Sequence, residues 1–367
     1  MTDPLGDTGR DSSSAVHHKS QLKPGVPTSL RCFIDKIAEV DRLARVEQST
    51  HWKFDIGRIT RETRDPLLFQ NIADYPGQRV FTNGLRDIGL IGLALGMESE
   101  VSREELIAEV RQRAANPVNP KFVEAGPVLE NTVEGNRLNL LALPIPQWNE
   151  SDCARYLGTW HLNVTKDPDT GARNVGVYRM QLLGPNQATV NTSPESHLAL
   201  HVAKSERQGR AHPMAVAIGV GEAVIMAATA AYPYGMDEYG LAGGLQQSAV
   251  ELLRCPALNL EVPANAEIVI EGFIHPHVRV QDGPYFDYTG TTNTNPAAFL
   301  FEATRLMFRN DPIFRGTSIG VPGAEDHQLF AVLAELQLLD FHRSSVKKHI
   351  QDSVLKQRLL RWTGAAS

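Results

Sequence analysis

Apolar and polar positions change period several times along the chain, and each change predicts an element. Leu30 to Val40 carries apolar residues at helical spacing, whereas P-L-L-F-Q-N-I (66–72) and R-V-F-T-N (79–83) are short and strand-like. An apolar helix is predicted over Ile88 to Leu95. Ser102-Arg103-Glu104-Glu105 forms a capping box that opens a helix with Leu106, Ile107 and Val110 on one face, and Asn116-Pro117 closes it. From about 150 to 300 the pattern turns to short strands broken by turns: M-A-V-A-I-G-V (214–220) and A-E-I-V-I-E-G-F-I (266–274), with an Ala-rich helix over Glu222 to Ala231 between them. Residues 297–308 fit strand or helix, and periodicity alone leaves the choice open. A helix is predicted over Asp326 to Phe341. Beyond it Val346, Ile350, Val354, Leu355, Leu359 and Trp362 recur at helical spacing opposite Lys347, Lys348, Arg358 and Arg361, an apolar face that calls for a partner.

The stretch Trp160 to Arg179 reads as a hairpin. Trp160, Leu162 and Val164 alternate with polar residues, Asp167-Pro168-Asp169-Thr170-Gly171 is turn chemistry, and Val175 and Val177 alternate again. The return strand delivers Asn174, Gly176, Tyr178 and then Arg179, so one face carries an amide, a bare backbone and a phenol.

Composition narrows the classes. The 367 residues are 42% apolar and 21% charged with a net charge of −6, which suits two or three globular domains and, with no basic block, excludes nucleic acid as the expected partner. Residues 1–28 are polar and rich in Gly, Pro and Ser, and are expected as a disordered tail. Cys32, Cys153 and Cys255 are far apart and lack zinc or disulfide-scaffold spacing, which fits a reduced, cytoplasmic protein. No secretory signal pattern or bilayer-spanning apolar run is expected.

Four places hold polar residues that packing does not need: Asn174 with Arg179, His197, Glu238, and Asp282 with Asp287. An amide, an imidazole and a carboxylate (Asn174, His197, Glu238) make a mixed N/O set suited to magnesium or manganese. Taken singly they also read as a hairpin amide, a capping or surface histidine and a solvated glutamate. His201 follows His197 at H-x-x-x-H spacing, but the Glu of the zinc-protease motif is missing. In Asp282-Gly283-Pro284-Tyr285-Phe286-Asp287 a Gly-Pro turn is expected between two carboxylates bordered by aromatic rings. It reads either as a plain polar turn or as one acid paired to Arg179 and one acting as proton carrier.

Together, T-K-D-P-D-T-G-A-R-N-V-G-V-Y-R, P-Y-G-M-D-E with A-G-G-L, V-P-A-N-A-E-I-V-I-E-G and D-G-P-Y-F-D-Y-T-G, in this order, resemble the UbiD family of prenylated-FMN-dependent reversible decarboxylases. The resemblance covers roughly Leu30 to Phe341. It implies an α/β (α+β) fold: an N-terminal α/β domain (29–144), a central split β-barrel flavin-binding domain (145–322) and the start of a C-terminal α/β domain (323–367), of which only the opening helices are expected here. It places a manganese or magnesium ion on Asn174, His197 and Glu238 at the cofactor phosphate, with potassium as a further ion. It assigns cofactor contacts to Val177, Tyr178, Arg179, Ser196, His197 and Thr229, and an acid–arginine–acid triad to Asp282, Arg179 and Asp287.

The implied reaction is non-oxidative decarboxylation of an aromatic, heteroaromatic or α,β-unsaturated acid through a covalent prenylated-flavin adduct. A flavin prenyltransferase would supply the cofactor, and a dimer or larger homo-oligomer is implied. Asp282 stands where the family commonly has Glu, and Phe286 where it has Gly, which points to a subgroup with its own substrate pocket. The alternatives are a catalytically incomplete flavin- and metal-binding subunit, and a metal-dependent hydrolase that would work without flavin.

Overall fold

The computed structural model describes residues 25–343. Most of the expected tail and the whole amphipathic stretch Val346 to Trp362 lie outside the described residues. Ser29 caps the helix Leu30–Glu39 through its hydroxyl on the Cys32 N–H, and the capping box of Ser102 and Glu105 opens Arg103–Ala114 as the sequence predicts. The strands Ala44–Val46, Leu67–Phe69 and Arg79–Thr82 form a sheet whose fourth member, Ile313–Arg315, comes from much later in the chain and lies parallel to Arg79–Thr82. With its helices this makes an α/β unit that the late strand completes.

The centre is a seven-stranded sheet. Its order runs Gln187–Val190, Thr292–Phe308, Ile268–Phe286, His212–Ile218, His161–Lys166, Arg173–Gly176, with Asn131–Glu134 pairing to Thr292–Phe308. Residues 297–308 are therefore strand. The sheet is covered on both faces: Leu162, Val164, Ala215 and Ala217 join one apolar cluster, while Met214, Val216, Ile218, Ile268 and Ile270 join another. That double burial explains why M-A-V-A-I reads as an unbroken apolar run. The long strand Ile268–Phe286 pairs with Thr292–Phe308 through several register shifts, one between Asp282 and Tyr285. Such irregularities bend a strand and raise its twist, which curls the sheet.

The expected Gly-Pro turn does not form. Asp282, Tyr285 and Phe286 are paired to Asn295, Asn293 and Thr292, so Gly283-Pro284 is an irregularity inside the strand, and the reversal comes at 287–291, closed by Asp287 N–H on Thr291 O. A proline without an N–H is tolerated where the ladder is already broken. The Gly283 N–H, left without a ladder partner, donates to Gln181 Oε1 at 2.7 Å.

The hairpin pairs His161–Lys166 with Arg173–Gly176, but its return strand ends at Gly176. Tyr178 N–H donates to the Asn163 side chain instead of extending the ladder. The helix Glu325–Arg343 is anchored by an ion network. Arg315, fully buried, reaches Glu222 at 2.8 Å and Glu325 at 2.7 Å. Glu325 also accepts the N–H groups of Asn83 and Leu85, and Glu222 accepts the Trp160 indole. Segments at 83–85, 160, 222, 315 and 325 are thus tied at one point, and each buried charge has partners that offset its desolvation.

Candidate active site

Where the return strand leaves the sheet, the chain lines a cavity of about 330 Å3. Gly158, Trp160, Gly176, Val177, Tyr178 and Arg179 form one side, Thr229 and Ala228 another, and Tyr285, Asp287, Tyr288, Ile319, Asp326 and Phe330 the rest. The size suits a small ligand. Gly158 and Gly176 keep the wall thin. A Cβ on Gly158 would lie 2.3 Å from the His161 ring, and one on Gly176 2.7 Å from the Tyr178 ring, so no larger residue fits without displacing a ring.

Arg179 lies between two carboxylates. Its Nε and Nη2 contact Asp282 Oδ1 at 2.7 and 2.5 Å, and its Nη1 lies 3.5 Å from Asp287 Oδ2. The guanidinium also sits 5.0 Å over the Tyr285 ring, which stacks on Tyr156 at 4.1 Å. The two acids differ in surroundings. Asp282 is fully buried and accepts a second bond, from the Thr189 hydroxyl. Asp287 remains partly open and accepts Asn293 Nδ2 at 3.1 Å. One acid is fixed to the arginine, and the other faces the cavity. The Asp at 282, though shorter than Glu, reaches the guanidinium.

Three supporting groups escaped the sequence reading. Thr189 accepts Gln181 N–H at 3.0 Å while donating to Asp282. Gln181 holds Gly283. Asp152 accepts the Phe286 N–H at 2.8 Å and the Asn149 N–H at 2.9 Å, and Cys153 N–H donates to Pro284 O, so the segment 149–153 braces the Asp282 to Asp287 run. Burial lifts the Asp152 carboxyl to about 6 despite these bonds. Asp152 is followed by an ordinary Cys-Ala-Arg run, and no local pattern marks it.

Of the expected cofactor contacts, Val177, Tyr178, Arg179 and Thr229 line the cavity. Thr229 spends its hydroxyl proton on Ile225 O. Ser196 and His197 stand outside the lining. Ser196 caps the helix His197–Arg207 by accepting Ala199 N–H, and its hydroxyl neighbours the Tyr178 phenol, whose pKa burial raises. That phenol also meets Asn174.

Among the described residues no three His, Cys, Asp or Glu side chains converge, so the expected metal trio depends on its amide. Asn174 is buried with its amide nitrogen unpaired. Glu238 is buried, accepts Val175 N–H at 2.9 Å and is pushed up to about 7 by desolvation. His197 is half-buried, which lowers its pKa, and lies edge-on to Tyr234 at 5.0 Å. A desolvated carboxyl held from one side and a reachable imidazole are donors that suit a hard divalent ion, to which Asn174 would bring its amide oxygen. His201 does not join them: it is buried against the Thr165 hydroxyl at 3.0 Å.

The fold is shared with known proteins. A family model described as the 3-octaprenyl-4-hydroxybenzoate carboxy-lyase Rift-related domain matches residues 121–322, and the corresponding N-terminal domain model matches residues 34–110. Pyrrole-2-carboxylic acid decarboxylase of Pseudomonas aeruginosa is 32% identical over 324 residues, 84% of this chain and 65% of that protein. This chain therefore spans less than two thirds of that relative's length.

Among solved structures, an evolved dimeric form of the UbiD-class enzyme HmfF from Pelotomaculum thermopropionicum, in complex with prFMN, superposes with a TM-score of 0.79 at 30% identity. The match covers 86% of this chain and 72% of that one. Vanillic acid decarboxylase of Sedimentibacter hydroxybenzoicus in closed form gives 0.82 at 27% identity, covering 86% and 70%. The mixed α/β fold is shared with both.

Proposed function

We propose, from the premise that this chain belongs to the 3-octaprenyl-4-hydroxybenzoate carboxy-lyase (UbiD) family, that it is a reversible non-oxidative decarboxylase of an aromatic, heteroaromatic or α,β-unsaturated carboxylic acid using prenylated FMN. The observation that carries this reading is the Arg179 guanidinium held between Asp282 and Asp287 on the wall of the cavity.

Val177, Tyr178, Arg179, Ser196 and Thr229 would hold the flavin beside the cavity. Asn174, His197 and Glu238 would hold manganese or magnesium for its phosphate, and potassium is a further candidate ion. When bound, prenylated flavin supplies the electron sink that loss of carbon dioxide from an sp² carbon requires. The protein's own groups do the rest. Arg179, fixed by Asp282, binds and orients the substrate carboxylate, an alignment that lowers the barrier by positioning alone. Trp160 and Tyr285, both buried, exclude water. Asp287, whose partly exposed carboxyl lines the cavity, delivers a proton to the carbon that has lost carbon dioxide and regains it from solvent.

A flavin prenyltransferase would supply the cofactor. The three described cysteines are unpaired, which favours the cytoplasm, and among the described residues no helix is long and apolar enough to cross a membrane. A homodimer or larger assembly is part of the proposal, supported by the dimeric form among the structural neighbours.

Asp287→Asn, in protein loaded with the flavin, should lower turnover by 10²-fold or more, the usual scale for losing a general acid, while the flavin absorbance stays unchanged. Full activity in that variant would remove Asp287 from the mechanism.

A further inference from the structure

We propose that Asp326 selects the substrate's ring: the cavity takes a flat carboxylic acid whose carboxylate meets Arg179 and whose ring carries a hydrogen-bond donor aimed at Asp326. The inference rests on the decarboxylase reading above and names the substrate class of that same site.

Asp326 lines the cavity together with Arg179 and Asp287, yet it is only 2% exposed and neither carboxyl oxygen has a hydrogen-bond partner. A buried acceptor left unpaired is costly, and a native structure seldom keeps one without a use. The preceding residue shows the contrast. Glu325 is fully engaged by Arg315 and by the N–H groups of Asn83 and Leu85. One acid of the pair anchors the helix, and no side chain hydrogen-bonds the other.

Asp326 is also held in place. His327 Nε2 donates to Tyr288 O at 2.6 Å, and Phe330, one turn on, packs edge-on against the Tyr288 ring at 5.9 Å. The helix is thereby seated on the segment that carries Asp287. His327 Nε2 lies 3.9 Å from Asp326 Oδ2, too far for a hydrogen bond, and is committed elsewhere. Backbone near His327 and Gly320 favours the ionised carboxyl in part, but burial prevails and lifts it to about 6. At neutral pH the group is therefore mainly an acceptor, and an acceptor calls for an N–H or O–H.

The remaining walls define what may carry that donor. Trp160, Tyr285, Ile319 and Phe330 are apolar or aromatic, so the body of the ligand is a flat ring. The donor is a ring N–H or a phenolic O–H. A site built to hydrogen-bond a donor rejects the analogue that lacks it far more strongly than an apolar pocket rejects a change of size.

The test is calorimetric titration of flavin-loaded protein with two matched pairs, pyrrole-2-carboxylate against furan-2-carboxylate and 4-hydroxybenzoate against benzoate. Wild type, Asp326→Asn and Asp326→Leu are compared. Wild type should bind the donor-bearing member of one pair at least about 30-fold more tightly, a fraction of the 10⁴-fold such sites can reach. Asp326→Leu should bring that pair within about threefold of each other, and Asp326→Asn, with one acceptor oxygen left, should fall between. Preference confined to the first pair identifies a ring N–H, and to the second a phenol. Equal binding within both pairs, no binding of any of the four, or a preference that survives Asp326→Leu overturns the proposal. Carbon dioxide release measured on the same samples separates the two readings. Donor preference without release contradicts the decarboxylase, whereas release without donor preference contradicts only the role of Asp326.

Discussion

Arg179 depends on a single well-buried neighbour. Asp282 can fix the guanidinium because its second oxygen is satisfied by Thr189, whose own oxygen accepts Gln181 N–H. Thr189→Val keeps the shape and removes both bonds, leaving a buried carboxylate oxygen and a buried N–H without partners. The expected cost is about 1–3 kcal/mol of stability, read by urea unfolding, together with a fall in kcat through the loosened arginine. A variant as stable and as active as wild type would show that Asp282 needs no such support.

The carboxylates and the arginine themselves were legible in the sequence because they stand in a run of turn-forming and aromatic residues. Thr189, Gln181, Asp152 and Asp326 were not. Each sits in an unremarkable local pattern and acquires its partner, or its lack of one, only when segments tens of residues apart are brought together.

At the scale of elements, the helix His197–Arg207 packs on the sheet through two buried histidines. His201 meets the Thr165 hydroxyl and His212 meets Ser205 Oγ at 2.8 Å, with the two rings 6.0 Å apart. Burial lowers His201 to about 4, and burial with the neighbouring His201 lowers His212 to about 3. Both folded values lie below the unfolded value near 6.5, so the unfolded chain binds more protons as the pH drops. The stability contributed is full above about 6.5 and is lost as the pH falls through 4 toward 3, on the order of 3–5 kcal/mol per group. Urea unfolding between pH 7 and 4 should therefore show falling stability, and His212→Gln, which can keep the Ser205 bond, should flatten the slope. An equally steep slope in that variant would contradict the assignment.

The elements themselves followed the hydrophobic pattern closely. Where they departed, long-range pairing decided. Gly283-Pro284 stayed inside a strand because the residues flanking it found partners on Thr292–Phe308, and the choice left open at 297–308 fell to strand because those residues lie against Ile268–Phe286. The hairpin stopped at Gly176 because the Asn163 side chain takes the Tyr178 N–H. Local turn propensity carries no record of such partners.

For the whole molecule, the segments that leave the curled central sheet supply Arg179 and Asp287, and the helix Glu325–Arg343, tied down through Arg315 and Glu325, closes the same cavity with Asp326 and Phe330. The site is thus assembled from segments that the Arg315 network keeps in register. The proposed function requires that this assembly hold prenylated flavin and use it to release carbon dioxide. The most direct measurement is the absorption spectrum and bound-metal content of protein co-expressed with a flavin prenyltransferase, followed by carbon dioxide release from a panel of aromatic and heteroaromatic acids. The expected result is a bound flavin, a divalent metal in equal amount, and release that depends on both. Release without flavin would contradict it in favour of a metal-dependent hydrolase, and flavin held without release from any acid would make the chain a binding subunit instead of a decarboxylase.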